Sequence, residues 1–332
     1  MMLPRVNVGG YTEAILFSQR TFANTRGHMF RGALLRAVRR LPVVILLLWT
    51  TLILLHFPYD TDRPGKAGPA PAEQVKFYNE APTVPGASNY ESVFDATHER
   101  VKKIVGQFVE VNHLQNKRVL EVGSGTGWLQ DMVDDYTGLD IAAEDRRHYH
   151  KRFVVGSATE LPFGKNEFDG AWTIYTSEHV INPETSLAEM RRVVKDGGLL
   201  FLFPAWNCTS WAADGYQVRP FSDFGLHGKI IKASLLLRTQ PLYQSAYRFP
   251  IRFARSLSAK WFGPTRLHYE ELRPNFSHYW VEDSDAVNSL DRFETLLWFR
   301  SRGDECLNCA ADRDFWALEG PLIVRIHKSA LL

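Results

Sequence analysis

The stretch RVLEVGSGTGW, residues 118–128, decides the fold. Arg118 to Val122 reads as a short apolar strand, and the glycines that follow permit a tight turn and a close approach of backbone N–H groups to a ligand. Trp128 to Tyr136 suits a helix after that turn. Asp140 ends the next strand, predicted over Thr137–Ile141, where a carboxylate can accept hydrogen bonds from both ribose hydroxyls of a nucleoside cofactor. A dinucleotide fingerprint needs Gly-x-Gly-x-x-Gly or Ala. Here its third position is Trp128, too bulky for close helix–strand packing, and no Walker-type Gly-Lys-Ser/Thr follows. A nicotinamide oxidoreductase is thereby disfavoured.

Working outward, strands and helices alternate. Residues 92–111 place Val93, Val101, Ile104, Val105 and Phe108 at near-helical spacing. Further strands are predicted at 152–155, 168–175 and 199–203. A helix is expected over 184–194, stopped by Asp196-Gly197-Gly198. Apolar strands alternating with helices imply a parallel sheet covered on both faces. Regular order returns near Ser284, with a helix through Arg300 and strands at 304–309 and 322–327.

Four blocks in order then carry a family resemblance: RVLEVGSGTGW with GLDI, GSATELPF (156–163), FDGAWTIYTSEHVINP and EMRRVVKDGGLLFLF. From about Lys117 to Ala205 the chain resembles the class I S-adenosylmethionine-dependent methyltransferases, most of all the small-molecule branch that includes quinone-biosynthesis enzymes. The resemblance implies a Rossmann-like α/β sheet with helices on both faces and S-adenosylmethionine as cofactor. It implies that Glu121, Gly123, Ser124, Gly125 and Gly127 line the methionine and ribose part. Asp140 would hold the ribose hydroxyls, Ile141 the adenine, and Ser157 and Ala158 the adenine edge. The family often has Asp where this chain has Ser157. Tyr175 to His179 would face the reactive methyl group, with Glu178 and His179 as candidate catalytic residues or, equally, structural elements at the strand end. Asp214 and His227 are further base candidates.

Residues 206–283 read as an irregular, aromatic and basic insert after the fifth strand, placed to cap the acceptor site. Trp206, Trp211 and Tyr216 are expected to line a pocket or pack a lid, and Arg219 to meet an anionic group. Cys306-x-x-Cys309 invites a zinc reading. On one strand, however, residues three apart point to opposite faces, so two half-buried thiols and no metal are expected.

The remaining chain is organised by composition. Residues 1–40 form a basic arm, 58–87 a Pro/Gly-rich linker, and 88–332 the methyltransferase domain, divided into 88–205, 206–283 and 284–332. Residues 41–57 (LPVVILLLWTTLILLHF) carry no formal charge. At 1.5 Å per residue they reach roughly 25 Å, short for a hydrocarbon core of about 30 Å, and are expected to form one transmembrane helix. The N-terminal flank holds Arg26, Arg31, Arg36, Arg39 and Arg40, the other flank Arg63, Lys66 and Lys76. The positive-inside tendency thus favours a far-side domain, whereas cytosolic supply of the cofactor favours a cytoplasmic-facing one, which is the expectation adopted. A net charge of +2 argues against general nucleic-acid binding. The expected activity is methyl transfer to a lipid-linked, quinone-like or saccharide acceptor at the membrane. The alternative is a non-catalytic, cofactor-binding, membrane-tethered assembly protein.

Overall fold

The structure, a computed structural model, describes residues 40–48, 50–51, 71–80, 84–86, 88–309 and 314–328. The chain divides into two compact units, Met1–Asp60 and Thr61–Leu332. In the first, residues 40–48, 50 and 51 are helical and exposed. The rest of the expected 41–57 span and most of the 1–40 arm lie outside the described residues. Among the described residues no helix is long and apolar enough to cross a membrane.

The second unit is built on a seven-stranded sheet. Its strands are β1 (Arg118–Val122), β2 (Asp135–Asp140), β3 (Arg152–Val155), β4 (Phe168–Ile174), β5 (Val194–Phe203), β8 (Glu305–Cys306) and β9 (Leu322–Arg325), in the order β3-β2-β1-β4-β5-β9-β8. The five strands from β3 to β5 are parallel, and β9 and β8 join antiparallel. A separate two-stranded ribbon pairs β6 (Tyr269–Glu271) with β7 (Asn288–Leu290). The helices are α1 (Pro71–Glu80), α2 (Ser88–Val111), α3 (Pro183–Val193), α4 (Leu226–Arg238), α5 (Pro241–Phe262) and α6 (Arg292–Arg300).

Alternation along β1 assigns the faces. Val119 points into a core with Val101, Val105 and Phe108 of α2, Tyr136, Trp172 and Phe201. Leu120 and Val122 point the other way, into a core with Leu187, Met190 and Val193 of α3 and Leu296, Trp298 and Phe299 of α6. Residues two apart on a strand share a face, so one short strand serves both cores.

Several expectations are corrected. The helix over Trp128–Tyr136 is absent. Only a 3₁₀ turn, Gln130–Met132, separates the glycine turn from β2. The stretch from Trp128 to Asp134 is too short for a helix and a return to the next strand, so α2 covers this face instead. The glycine pair 197–198 does not cap α3. β5 begins at Val194, directly after the helix, and Gly197 (φ +74°) lies inside the strand near a register shift opposite Phe168 and Gly170. The linker over 58–87 contains α1. Pro71 starts it, and Gln74 and Phe77, one turn apart, are buried. The insert holds two helices, α4 and α5, and the helix expected from Ser284 is split into β7 and α6. Finally, Cys306 and Cys309 form a disulfide with Cα atoms 5.6 Å apart. β8 ends at Cys306, so the chain turns there and the opposite-face argument does not apply.

Candidate functional site

All five parallel strands end at one edge, so the loops after Val122, Asp140, Val155, Ile174 and Phe203 converge there. At the tip of β1 the backbone turns through Gly123 (φ +72°), Gly125 (φ +45°) and Gly127 (φ +70°). These values are strained for a residue with a Cβ. At Gly123 a Cβ would also lie 2.0 Å from Thr176 Cγ2. Thr176 sits this close because its hydroxyl donates to the Gly123 carbonyl (3.1 Å), tying the tip of β4 to the tip of β1. A Cβ on Gly125, by contrast, meets nothing within 4 Å. The turn is open at that point.

Asp140 holds the turn from the neighbouring strand. Its carboxylate accepts from Gly125 N–H (2.8 Å) and Ala142 N–H (2.9 Å). Burial raises its pKa, and those backbone donors partly counter the rise. A carboxylate offers about four lone-pair sites, so Asp140 retains acceptor capacity for a diol. Tyr149 closes the other side. Its hydroxyl donates to Ser124 Oγ (2.6 Å) or the Gly125 carbonyl (2.9 Å), and its ring would collide with a Cβ on Gly127. Open backbone at Gly125 beside a carboxylate suits a nucleoside with an amino-acid tail.

The other expected cofactor residues fall as follows. Glu121 is 1% exposed and its carboxylate takes the Tyr136 hydroxyl, which places it beneath the turn. Burial pushes it up to about 8. Ile141 is half-buried at the end of β2. Ser157 is exposed and bonded to Thr159 (2.8 Å), while Ala158 packs into the α3 core. Tyr175 leaves β4 with φ +48°, a value bulky residues rarely adopt, and its ring lies 5.5 Å from that of Phe203.

Glu178 and His179 follow in a 3₁₀ turn, Ser177–His179. Glu178 is fully buried. One carboxylate oxygen accepts from Ala205 N–H (3.1 Å), and the other has no hydrogen-bond partner. His179 Nε2 lies 3.8 Å from Glu178, and Nδ1 lies 3.4 Å from Asp285. Burial raises the Glu178 carboxyl to about 7, opposed by the nearby imidazole. Burial alone would lower His179, but Asp285, Glu178 and Asp283 outweigh it and the net shift is upward. Glu178, His179 and Asp283 bring one donor atom each within 4.8 Å of one another. Among the described residues this is the group able to hold a cation, although no metal was expected from the sequence. Asp214 and His227 are exposed and are not part of this trio.

Sequence reasoning missed the groups that surround this pair. Asp283 (φ +59°) is the last residue of the insert, and Asp285 follows just after it. Asn288 donates to the Ser177 and Val180 carbonyls (2.8 Å each). From α1, Gln74 donates to the His179 carbonyl and the Tyr78 hydroxyl to Asp285 (2.9 Å). The signals were the acidic pair Asp283-Ser-Asp285 and the buried i, i+3 pair hidden in the supposed linker.

Beside the trio is a cavity of about 480 Å³, lined among others by Trp206, Cys208, Ala212, Tyr279 and Asp283. Trp206 thus lines a pocket as expected. Tyr216 instead stacks on Phe224 (4.5 Å), Trp211 lies under Arg238 (5.5 Å), and the Arg219 guanidinium sits over Phe224 and Trp280. Those three pack the lid.

Residues 120–202 match the methyltransferase domain family. A demethylmenaquinone methyltransferase of Renibacterium salmoninarum is 38% identical over 100 residues, covering 27% of this chain and 42% of that protein. A fatty-acid O-methyltransferase of Mycolicibacterium smegmatis is 28% identical over 188 residues, 50% of this chain and 66% of that one. A phthiotriol/phenolphthiotriol dimycocerosates methyltransferase of Mycobacterium ulcerans is 31% identical over 137 residues, 36% and 51% respectively. The chain therefore spans 42% to 66% of the length of these relatives. The glycine turn and the strands from β1 to β5 thus lie in a segment that matches the methyltransferase domain family and is similar to these three methyltransferases over part of their length.

Proposed function

We propose that this protein transfers a methyl group from S-adenosylmethionine to a small, lipid-like acceptor. The observation that carries the reading is the open turn at Gly125, held by Asp140 and facing the loops after β4 and β5. The donor's sulfonium supplies an already activated methyl group. The protein's work is then to position the acceptor, exclude water and, for a hydroxyl acceptor, take a proton. Positioning alone is worth about 7–11 kcal/mol. Trp206 and Tyr279 give the cavity its apolar walls. The Glu178–His179 pair, held by Asp285, Asn288 and Ala205, is the base candidate, because a general base works best with a pKa near the working pH. The names of the three relatives, a menaquinone, a fatty-acid and a phthiotriol methyltransferase, favour lipid-like acceptors. Quinone-like and lipid-linked saccharide acceptors both fit a cavity of this size, and oxygen is the favoured methylated atom.

We further place the protein at a membrane through residues 41–57, with the methyltransferase domain facing the cytoplasm where the donor is made. Protease added outside intact cells should leave the domain uncut. Digestion from outside would reverse the orientation.

Calorimetry with S-adenosylhomocysteine tests the donor site. Gly125→Arg fills the open space and Asp140→Ala releases the turn, so each should lose binding by more than about a hundredfold. Unchanged affinity in both refutes the site. Glu178→Gln should keep that affinity and lose turnover, which separates the enzyme from the non-catalytic assembly protein.

A further inference from the structure

Residues Leu226–Phe262, which make up α4, α5 and their short connection, contain no Asp or Glu. They do contain Lys229, Lys232, Arg238, Arg248, Arg252, Arg255 and Lys260. Each helix carries an exposed apolar stripe. On α4, Ile231 and Leu235 are buried, while Leu226, Ile230 and Leu237 recur at helical spacing on an exposed stripe flanked by exposed Lys229. On α5, Leu242, Phe249, Phe253, Leu257 and Trp261 form a second exposed stripe, and Lys260 lies along it. The most exposed side chains flank the Thr239-Gln240 turn: Leu236 at 82% and Leu242 at 83%. Trp261, at 75%, marks the far end. Single exposed leucines are ordinary, but two continuous stripes of large apolar residues are not.

We propose that α4 and α5 dock on the surface of an anionic lipid bilayer. A helix with Leu, Phe and Trp on its exposed stripe, basic flanks and no acid is the form that lies in a membrane interface. Charge selects this occupant over a second copy. A symmetric contact between copies would set Lys229 and Lys260 against a like-charged surface, whereas anionic headgroups complement them. The arginines inside the stretch are used elsewhere: Arg248 and Arg252 face Asp291 and Arg255 pairs with Glu294, which fastens α5 to α6. α4 is fastened to the loop that lines the acceptor cavity, through Lys232 Nζ to the Tyr216 carbonyl (2.7 Å) and Arg238 over Trp211. Docking would therefore bring the cavity to the lipid surface. The inference deepens the lipid-like acceptor reading but requires neither the donor site nor the 41–57 segment.

The test uses the full chain with one environment-sensitive label, nitrobenzoxadiazole, on Leu236→Cys. Cys208 is buried and Cys306 and Cys309 are paired, so the new thiol takes the label. A matching label on Val111→Cys, 75% exposed at the end of α2, controls for tethering through the N-terminal segment. On vesicles of equal phosphatidylglycerol and phosphatidylcholine, the Leu236→Cys label should brighten at least about twofold and shift blue. The Val111→Cys label should not. Adding Lys229→Glu and Lys260→Glu should remove more than about half of the rise. No change on the anionic vesicles overturns the proposal. So does a rise that needs no lipid and grows with protein concentration, which would indicate a second copy. An equal rise on pure phosphatidylcholine overturns the anionic assignment. S-adenosylhomocysteine calorimetry on the same samples reads the donor site separately.

Discussion

Leu200 and Leu236 are the same residue in opposite surroundings. Leu200 lies in the middle of β5, 0% exposed, among the side chains of α3 and α6. Leu236 lies on α4, 82% exposed. The contrast extends to the regions around them. The parallel sheet is held by apolar burial on two faces. The insert buries fewer of its apolar residues and is fastened by arginines to carboxylates and carbonyls. Arg252 is the clearest case. Its guanidinium reaches Asp291 (2.7 Å) and the carbonyls of Phe315 (2.6 Å) and Ala317 (3.1 Å), and the residue is 3% exposed. Asp291 in turn caps α6 through Phe293 N–H (2.8 Å). The proposed function divides along the same line: the turn proposed for the donor belongs to the sheet, and the cavity proposed for the acceptor is lined from the insert.

Breaking each region should therefore need a different substitution. Arg252→Ala removes a buried partner from Asp291 and should cost about 3–5 kcal/mol, read as a shift in the denaturation midpoint. A cost below about 1 kcal/mol would show that the insert is held by packing after all. Leu200→Ala should cost about 2–5 kcal/mol through the cavity it leaves. Leu236→Ala should change stability by less than about 0.5 kcal/mol. Similar costs at the two leucines would erase the contrast.

pH sharpens the comparison within the sheet. Burial lifts the Glu121 carboxyl from its ordinary value of 4.5 to about 8. Below about 4.5 both the folded and unfolded chains hold this proton. As pH rises the unfolded chain ionises first, so the folded state loses stability until pH passes about 8. Glu121→Gln should flatten that decline in melting curves taken between pH 5 and about 8. An unchanged slope would mean that Glu121 is ionised in the folded protein.

The glycine turn and its strand were legible because the requirement is local. Positive φ at Gly123, Gly125 and Gly127 needs glycine whatever the rest of the chain does. β1, β3, β4 and α3 were likewise found within a residue or two from apolar pattern alone. The helix expected after Trp128 and absent from the fold shows the limit of local pattern, since the segment before β2 is too short for a helix and a return to the next strand. The missed α1 shows the limit of composition, since Pro and Gly on either side disguised a turn of buried residues between them.

The amino-acid sequence by itself determined the α/β sheet, the glycine turn after β1 and the acid at Asp140, because each rests on short-range geometry and periodic burial. Only the tertiary structure decided what surrounds Glu178 and His179. Asp283, Asp285, Asn288 and Tyr78 lie up to about a hundred residues away along the chain. They meet the pair only when α1, the end of the insert and the segment into β7 fold over the strand ends. Side-chain charge and burial at that point are properties of the assembled fold, and no local pattern encodes them.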